Sequence, residues 1–332
     1  MQKKHFTLRG VRRGALVAMS MALLFVSCTQ PDMREHIAPS STTTQIPTAG
    51  STAAIETSET SAESVPSVTI VDYASLEGVA QFGIQYIDVG QADAALVWCD
   101  DSYMLIDGGN AGDSSLIYTI LKNNGIENLD IVVGTHAHED HIGGLSGALE
   151  AASASLVLCP VTAYDSKAFR SFKSRADANG GIVIPEVGDR YTLGTASINI
   201  LGVNSILEDT NNTSIVFKII YGNTSFLFTG DAEREAEAII LDSGCDLSAN
   251  VLKVGHHGSN TSTSYPFLRA VMPQAAIISC GKNNQYGHPD EEVLSRLSDE
   301  GCTVYRTDQM GDIYCLSDGN SIAFSCGYRD RH

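Results

Sequence analysis

The feature that most constrains this chain is a cluster of potential metal ligands in one short segment. The segment reads Thr135-His136-Ala137-His138-Glu139-Asp140-His141, with an apolar run at 130–134 before it and Gly143-Gly144 after it. Four potential ligands therefore occupy six positions, in a chain of 332 residues that has nine histidines. Imidazole nitrogens and carboxylate oxygens are the ligands that zinc and related ions take in proteins. The pattern predicts a loop, at the end of a buried strand, that faces two neighbouring metal ions.

Short apolar runs broken by Gly or Asp predict strands along most of the chain after residue 70. The predicted strands are 82–88, 94–98, 103–106, 130–134, 197–201, 214–221, 225–228, 251–254, 275–279 and 303–306, followed by a hairpin through Asp318-Gly319. Helices are predicted from Asp113 or Ser114 to the Asn123-Asn124-Gly125 turn, at 232–241 and at 290–298. Two sheets packed face to face, with helices outside each, would bury these runs on both sides. We therefore predict an α/β fold that is a four-layer αββα sandwich, with the strands of 82–106 at the edge of a mixed sheet.

The N-terminal segment has the composition of an export signal. Five Lys and Arg residues precede an apolar run at 15–26 that is too short to span a bilayer comfortably. Ser27 before Cys28 resembles the site at which bacterial lipoproteins are cleaved and lipid-modified; the alternative is an ordinary signal with an incidental Cys. We predict a lipoprotein-type signal at 1–28, a disordered Ser/Thr-rich linker at 29–70 and a folded domain at 71–332. The protein would be exported and held on the outer face of the cell membrane by a lipid on Cys28.

The charge balance and the cysteines exclude several classes of function. The chain has 21 Lys plus Arg against 39 Asp plus Glu, a net charge of −18, which argues against binding that depends on neutralising many phosphates. A groove for nucleic acid would have to be a local exception, with Lys253, Lys282, Arg296 and Arg306 as possible contributors. The eight cysteines form no C-x-x-C pair, so neither a zinc ribbon nor a thioredoxin-like site is indicated.

The ligand cluster resembles a known signature. His136, His138, Asp140 and His141 match the H-x-H-x-D-H pattern of the metallo-β-lactamase-fold hydrolases. Four further runs resemble the hydrolase domain at the C-terminus of the ComEC family of DNA-uptake proteins: 88–93, 228–231, 253–259 and 286–289. The resemblance covers nearly all of 80–325. Ala92 stands where that subfamily usually has Gly, a departure that removes no ligand.

The resemblance implies a set of ligands for two divalent ions, zinc or manganese. His136 and His138 would hold the first ion, Asp140 and His141 the second, and Asp231 would bridge them, because paired ions need a shared anion. One of His256 and His257 would complete the second site, and His257 is favoured. The alternative role for Asp231 is an N-cap for the helix that follows.

One ligand of the wider superfamily is missing from this chain. Many members supply a further His to the first ion from the stretch before the bridging Asp, but 185–229 contains no His, and Asn211-Asn212-Thr213-Ser214 stands there instead. An amide is a poorer ligand than imidazole. We expect the first site to bind more weakly, to prefer a harder ion such as manganese, or to stay empty.

The resemblance also implies residues that act beside the ions. Asp140 would orient a water molecule, and His256 is assigned to catalysis. His288 would donate a proton to the leaving group or bind the oxyanion of the substrate, the alternative being a loop His packed beside Pro289. Asp107 would accept a hydrogen bond from a ligand His, the alternative being simple turn formation.

The resemblance implies a metal-dependent hydrolase that cleaves a phosphodiester, either single-stranded nucleic acid or a small phosphodiester. The alternatives are hydrolysis of a lactam, lactone or thioester, and a surface-binding lipoprotein that has no catalytic activity. No protein partner is predicted.

Overall fold

The fold is built on sixteen strands in residues 68–204 and 207–327, the part of the chain that the computed structural model describes. The predicted signal, Cys28 and the linker as far as residue 67 lie outside these residues. The strands are β1 (Thr69–Val71), β2 (Phe82–Tyr86), β3 (Ala95–Cys99), β4 (Ser102–Ile106), β5 (Asn128–Val133), β6 (Ser153–Leu158), β7 (Ile182–Val183), β8 (Arg190–Leu193), β9 (Ala196–Gly202), β10 (Val216–Tyr221), β11 (Thr224–Phe228), β12 (Val251–Lys253), β13 (Ala275–Ile278), β14 (Thr303–Arg306), β15 (Asp312–Ser317) and β16 (Ser321–Gly327).

The strands form two sheets. The first sheet has the order β1-β16-β15-β2-β3-β4-β5-β6-β7, and the second has the order β14-β13-β12-β11-β10-β9-β8. Strands β4, β5, β6 and β7 run parallel to one another, as do β11, β12, β13 and β14, while β2, β3 and β4 are joined in antiparallel fashion. Both sheets are therefore mixed.

Eight α-helices lie between these strands along the described chain. They are α1 (Ser114–Asn123), α2 (Glu139–Ile142), α3 (Leu145–Ala151), α4 (Lys167–Asp177), α5 (Arg234–Asp242), α6 (Tyr265–Val271), α7 (Glu291–Asp299) and α8 (Thr307–Met310). Side chains of α1, α3 and α4, such as Ile117, Leu145 and Phe172, pack in one cluster with β5 and β6 of the first sheet. Side chains of α5, α6 and α7, such as Ile240 and Phe267, pack with the second sheet.

A third apolar cluster lies between the two sheets. It joins Phe82 and Met104 of the first sheet to Phe217 and Phe226 of the second, and the rings of Phe82 and Phe226 stack with their centroids 4.9 Å apart. Successive side chains of a strand point to opposite faces, and accordingly Leu105 belongs to the helix-facing cluster while Met104 belongs to the central one. Three apolar layers between four layers of structure confirm the predicted αββα sandwich.

Two details of the prediction are wrong. The strands of 82–106 lie inside the first sheet, because the C-terminal hairpin β15–β16 pairs with β2 through Ile313 and Tyr86 and occupies the expected edge. The boundary at residue 70 is also placed too late, because Thr69–Val71 pair in parallel with β16 and Val68 is buried.

The topology places the ligand-rich loop at the carboxyl end of β5. In a parallel array the loops that follow neighbouring strands lie at the same edge of the sheet. The loop after β4 is therefore beside the loop after β5, and the loops after β11, β12 and β13 are neighbours in the second sheet. No helix within the described residues is long and apolar enough to cross a membrane.

Candidate metal centre

Asp107, the residue after β4, anchors the ligand-rich loop. Its Oδ1 accepts a hydrogen bond from the backbone N–H of Thr135 at 2.8 Å, and its Oδ2 accepts from the Thr135 hydroxyl at 2.8 Å. The same Oδ2 lies 2.8 Å from Nδ1 of His141. Asp107 has a left-handed backbone, with φ at 56°, and adjoins Gly108 and Gly109. The carboxylate thus supports a predicted ligand as well as forming a turn.

One group of four predicted ligands comes together at the junction of the two sheets. Nε2 of His257 lies 3.2 Å from Oδ2 of Asp140 and 3.6 Å from Oδ2 of Asp231. Nε2 of His141 lies 3.2 Å from Oδ1 of Asp231. One ligand atom from each of the four residues lies within 4.8 Å of the others. We call Asp140, His141, Asp231 and His257 the second ligand group, since they match the second ion of the prediction.

The remaining two predicted ligands, His136 and His138, are in contact with each other, and His136 also lies near Asp231. Nε2 of His136 lies 3.1 Å from Nδ1 of His138 and 3.9 Å from Oδ2 of Asp231. We call His136, His138 and Asp231 the first ligand group. Asp231 therefore belongs to both groups: its Oδ2 faces His136 of the first group and His257 of the second, and its Oδ1 faces His141. The next helix, α5, begins at Arg234 with Glu233 as its N-cap, so Asp231 is not the N-cap of that helix.

Three of the imidazoles are held by their outer nitrogen. Nδ1 of His141 is paired with Asp107, and Nδ1 of His257 lies 3.1 Å from the carbonyl oxygen of Ser279 and 3.2 Å from Oδ1 of Asp93. Nδ1 of His136 lies 3.3 Å from the Thr135 hydroxyl. Ligating histidines commonly pair their other nitrogen in this way, which fixes the tautomer and directs Nε2 inward.

The turn that carries His257 is strained. His256 and His257 are consecutive residues with φ at 50° and 53°, in the left-handed region that residues other than glycine rarely adopt. Such conformations cost about 1–3 kcal/mol each and persist where the surroundings enforce them. The turn follows the end of β12 and gives the two adjacent imidazoles different environments. His257 is buried, whereas the side chain of His256 is 22% exposed.

The charges of the site fit a divalent cation. Asp93, Asp107 and Asp231 are buried, and among residues 68–204 and 207–327 Lys253 is the one Lys or Arg in ion-pair contact with any of them. Nε2 of His141 and Oδ1 of Asp231 are buried and face each other at 3.2 Å, without the alignment of a good hydrogen bond. Buried polar atoms without partners are rare and require an explanation. A divalent cation between these atoms would supply one.

The titration of the imidazoles agrees with that charge balance. Burial favours neutral His257, but the charges of Asp231 and Asp93 outweigh it and raise its pKa to about 10. Burial likewise opposes charge on His141, and Asp231 with Asp107 nevertheless raises its pKa well above the usual value. Burial opposes ionisation of Asp140, but its hydrogen bond with His257 holds the pKa of Asp140 at about 2. Without an ion, the second ligand group therefore neutralises its carboxylates by holding protons.

His136 of the first group differs from His141 and His257, because nearby carboxylates do not outweigh the effect of burial on its pKa. Burial lowers the pKa of His136 well below its usual value, so this imidazole is neutral and has a free electron pair for a metal. Where the superfamily has a further His, Asn211 lies at the cleft, and its Oδ1 is buried without a hydrogen-bond partner among the described residues. The cleft that His138 lines thus also contains a buried amide oxygen.

His256 lies at the edge of this centre and is not a member of the second ligand group. Its Nε2 is 3.7 Å from Oδ2 of Asp231, and its Nδ1 is 3.1 Å from Oε1 of Glu233. Glu233 also accepts hydrogen bonds from the Thr261 hydroxyl at 2.9 Å and from Nδ2 of Asn211 at 3.3 Å. No sequence signal marks Glu233 and Thr261 as site residues, because they lie in polar segments without a recognisable pattern.

His288 lines the cleft beside the metal centre. The cleft has a volume of about 290 Å³ and is bordered by Gln91, His138, Asn211, His256, Tyr286 and His288. Oε1 of Gln91 accepts from the N–H of Gly281 at 3.0 Å, so its Nε2 is the atom that faces Nδ1 of His288 at 3.4 Å. Burial lowers the pKa of His288. The ring is therefore neutral near pH 7 and carries its proton on Nε2.

The cations expected to form a nucleic-acid groove are mostly unavailable. Lys253 and Arg296 are buried, the first paired with Asp93 and the second donating to the carbonyl oxygens of Ser262 and Thr263. The guanidinium of Arg306 is paired with Asp308 at 2.7 Å. Lys282 is exposed and lines a second cavity, of about 560 Å³, that also includes His288. The expectation is thus wrong for Lys253 and Arg296, because their ammonium and guanidinium groups satisfy buried acceptors.

Comparison with known proteins gives matches over most of the described chain. Residues 87–282 match the sequence profile described as "Metallo-beta-lactamase superfamily". ComE operon protein 3 of Bacillus subtilis (strain 168) is 33% identical over 251 residues, which cover 69% of this chain and 32% of that protein. Competence protein ComA of Neisseria gonorrhoeae is 31% identical over 226 residues, which cover 68% and 30%. This chain thus spans about a third of the length of the curated relatives it matches, and these matches confirm the resemblance to a ComEC-type hydrolase domain.

Among solved structures, the metallo-beta-lactamase fold protein YhfI from Bacillus subtilis is 13% identical, with a TM-score of 0.47. The match covers 74% of this chain and 100% of the YhfI chain.

Proposed function

Because the chain belongs to the metallo-β-lactamase superfamily, we propose that it is a hydrolase that uses two divalent ions, zinc or manganese, to cleave phosphodiester bonds. The observation that carries this proposal is the convergence of both ligand groups on Asp231, whose Oδ2 is 3.9 Å from His136 and 3.6 Å from His257. Divalent ions in such a centre lower the pKa of a coordinated water and neutralise charge on a phosphoryl group.

The residues beside the ligands have the hydrogen bonds that hydrolysis needs. Nε2 of His288 can donate a hydrogen bond to a substrate oxygen at the cleft, because Gln91 donates to Nδ1 and leaves the ring hydrogen on Nε2. Glu233 holds His256 in the opposite tautomer, because the carboxylate accepts from Nδ1–H and leaves an electron pair on Nε2, which faces the metal centre. Asp140 has one oxygen on His257, and its side chain is 33% exposed, so its second oxygen is available to orient water.

The charge near the cleft favours a small phosphodiester over a polynucleotide. Of the four cations considered for a groove, Lys253 and Arg296 are buried and Arg306 is paired, so Lys282 alone of the four is exposed and free to meet a phosphate. Affinity for a polynucleotide rests on several such contacts. The names of two relatives, a competence protein and a ComE operon protein, support the nucleic-acid alternative, and single-stranded DNA therefore belongs in the test.

We also propose that the enzyme is exported and is held at the outer face of the cell membrane by a lipid on Cys28. The support is the sequence alone: a basic segment, a short apolar run, and Ser27 before Cys28. The linker that follows would give the domain reach from the membrane surface.

The test is turnover by the purified protein after loading with zinc or with manganese. The substrates are bis(p-nitrophenyl) phosphate, a single-stranded DNA oligonucleotide and a chromogenic β-lactam. We expect turnover of the small phosphodiester that is lost on chelation and in the His138→Ala variant, because that variant removes a ligand of the first group. Turnover of the β-lactam with no cleavage of either phosphodiester would overturn the proposal.

A further inference from the structure

A buried ion pair lies directly behind the second ligand group. Lys253, the last residue of β12, is 4% exposed, and its Nζ is 2.7 Å from Oδ2 of Asp93, which is 5% exposed. The same ammonium donates to the carbonyl oxygen of Val254 at 3.0 Å. Burying two charges carries a desolvation cost that the pairing often fails to repay, so a buried pair is weak evidence for stability. Its position points instead to the neighbouring ligand.

Asp93 connects this pair to His257. Lys253 occupies Oδ2 of the carboxylate, and the other oxygen, Oδ1, is at ion-pair distance, 3.2 Å, from Nδ1 of His257, whose hydrogen-bond partner at 3.1 Å is the carbonyl oxygen of Ser279. On the inner side of the same ring, Nε2 lies 3.2 Å from Oδ2 of Asp140. Lys253 and Asp93 therefore act on Nδ1, the outer nitrogen of His257. The opposite nitrogen of the same ring, Nε2, faces the metal site.

The backbone of Asp93 is bound to the other ligand loops. Its N–H donates to the carbonyl oxygen of Asp140 at 3.1 Å, and its carbonyl oxygen accepts from the N–H of Gly109 at 2.8 Å. Asp93 therefore contacts the segments that carry Asp140 and Asp107 as well as the ring of His257. A shift of this one residue would move three of the elements that shape the second ligand group.

The first ligand group has no equivalent support. Nδ1 of His136 meets the neutral hydroxyl of Thr135 at 3.3 Å, and among the described residues no carboxylate is hydrogen-bonded to the outer nitrogen of either first-group imidazole. Both imidazoles of the second group, by contrast, are backed by a buried carboxylate: Asp107 behind His141 and Asp93 behind His257. The two groups are therefore unequally preorganised.

We propose that the Lys253–Asp93 pair is a positioning device for His257, and that it makes the second ligand group the tighter of the two metal sites. Lys253 holds the carboxylate of Asp93 with one oxygen toward His257, and Asp93 holds the ring with Nε2 toward Asp140 and Asp231. This inference rests on the metal-binding part of the proposed function and is independent of the substrate.

The test is a titration of chelator-stripped protein with zinc in competition with a chromophoric chelator, which separates a tight and a weak binding step. The variant is Asp93→Asn combined with Lys253→Met, because removing both partners leaves no unpaired buried charge. We expect the tight step to weaken by about 10–100-fold, the usual effect of losing a partner that orients a metal ligand, while the weak step changes little.

The matched control is Lys218→Met. Lys218 is also 4% exposed, lies on β10 of the same sheet and places its Nζ 2.7 Å from Oδ2 of Asp246, but it contacts no ligand. It should leave both binding steps unchanged, which separates positioning from the general cost of losing a buried ammonium. If the double variant does not fold, Asp93→Glu, which keeps the charge pair and displaces its carboxylate by one methylene, gives the reading of the tight step.

Two results would overturn the proposal: a tight step of wild-type affinity in the Asp93 variants, or loss of the weak step alone. Because the readout is zinc binding, failure of the enzyme to cleave any phosphodiester would leave the test intact. Conversely, a wild-type tight step would reject the positioning role without touching the proposed activity.

Discussion

Loading the second ligand group with metal should release protons, because its imidazoles hold protons while no ion is bound. The pKa of His257 is about 10 against the opposing effect of burial, and the carboxylates of Asp231 and Asp107 raise that of His141 well above its usual value. Near neutral pH both rings are therefore protonated, including the Nε2 atoms that face Asp231. A metal ion binds only the deprotonated nitrogen.

The magnitude follows from this count. Two protons displaced per ion make the apparent association constant rise about 100-fold for each pH unit, which corresponds to about 2.7 kcal/mol. Isothermal titration calorimetry of stripped protein, in buffers with different ionisation enthalpies, measures the protons released directly. His257→Gln should reduce the release by about one proton, since one titrating ring is lost. His288→Gln is the control, because burial keeps that ring neutral and the release should not change.

The same shift predicts how pH affects the metal-free protein. Because the folded pKa of His257 lies above its unfolded value, the stabilisation from its protonation is complete below the unfolded value of 6.5 and is lost as pH rises toward about 10. Chelated protein should therefore lose melting temperature over that interval, and metal-loaded protein should not. Metal uptake without proton release would refute the assignment of charged imidazoles to this site.

Two further predictions concern the fold and the membrane anchor. Gly144→Ala should lower the melting temperature by roughly 6–12 °C, the effect of about 3 kcal/mol in a domain of this size, because its Cβ would lie 1.9 Å from the carbonyl oxygen of Gly108. Gly112→Ala, where the added carbon meets no atom within 4 Å, is the control, and equal melting of the two variants would contradict the packing argument. Cys28→Ala should move the protein from the membrane fraction to the soluble fraction of fractionated cells. Retention of this variant in the membrane fraction would contradict the prediction of a lipid on Cys28.

Much of the fold could be predicted because period-2 patterns report burial locally. The predicted strand 103–106 corresponds to β4, where Met104 and Leu105 face different apolar clusters. The strand order could not be predicted in the same way. Pairing of β15 with β2 joins Ile313 to Tyr86 across most of the domain, and nothing in either run specifies that partner. The sequence does not predict helix α4, because its apolar residues, such as Phe169 and Phe172, are few among charged ones.

The candidate site divides in the same manner. The cluster at 136–141 is visible in the sequence because its ligands are neighbours along the chain. The choice between His256 and His257 depends on backbone angles that place adjacent side chains on different sides of a turn. Asp93 and Lys253 were seen as parts of motifs, but their contact joins residues far apart in the sequence. Only the folded chain brings these charges to the back of His257.

Because the ligands come from both sheets, metal binding should also stabilise the packing of the two sheets. The 136–141 loop belongs to the first sheet, whereas Asp231 and His257 follow β11 and β12 of the second. An ion held by both loops therefore links the sheets at one edge. Because the unfolded chain lacks this arrangement, each tenfold excess of free metal over its dissociation constant adds about 1.4 kcal/mol to stability. In the metal-free state the contacts of His141 with Asp231 and of His257 with Asp140, each at 3.2 Å, provide a weaker link between the sheets, since neither joins all four ligands.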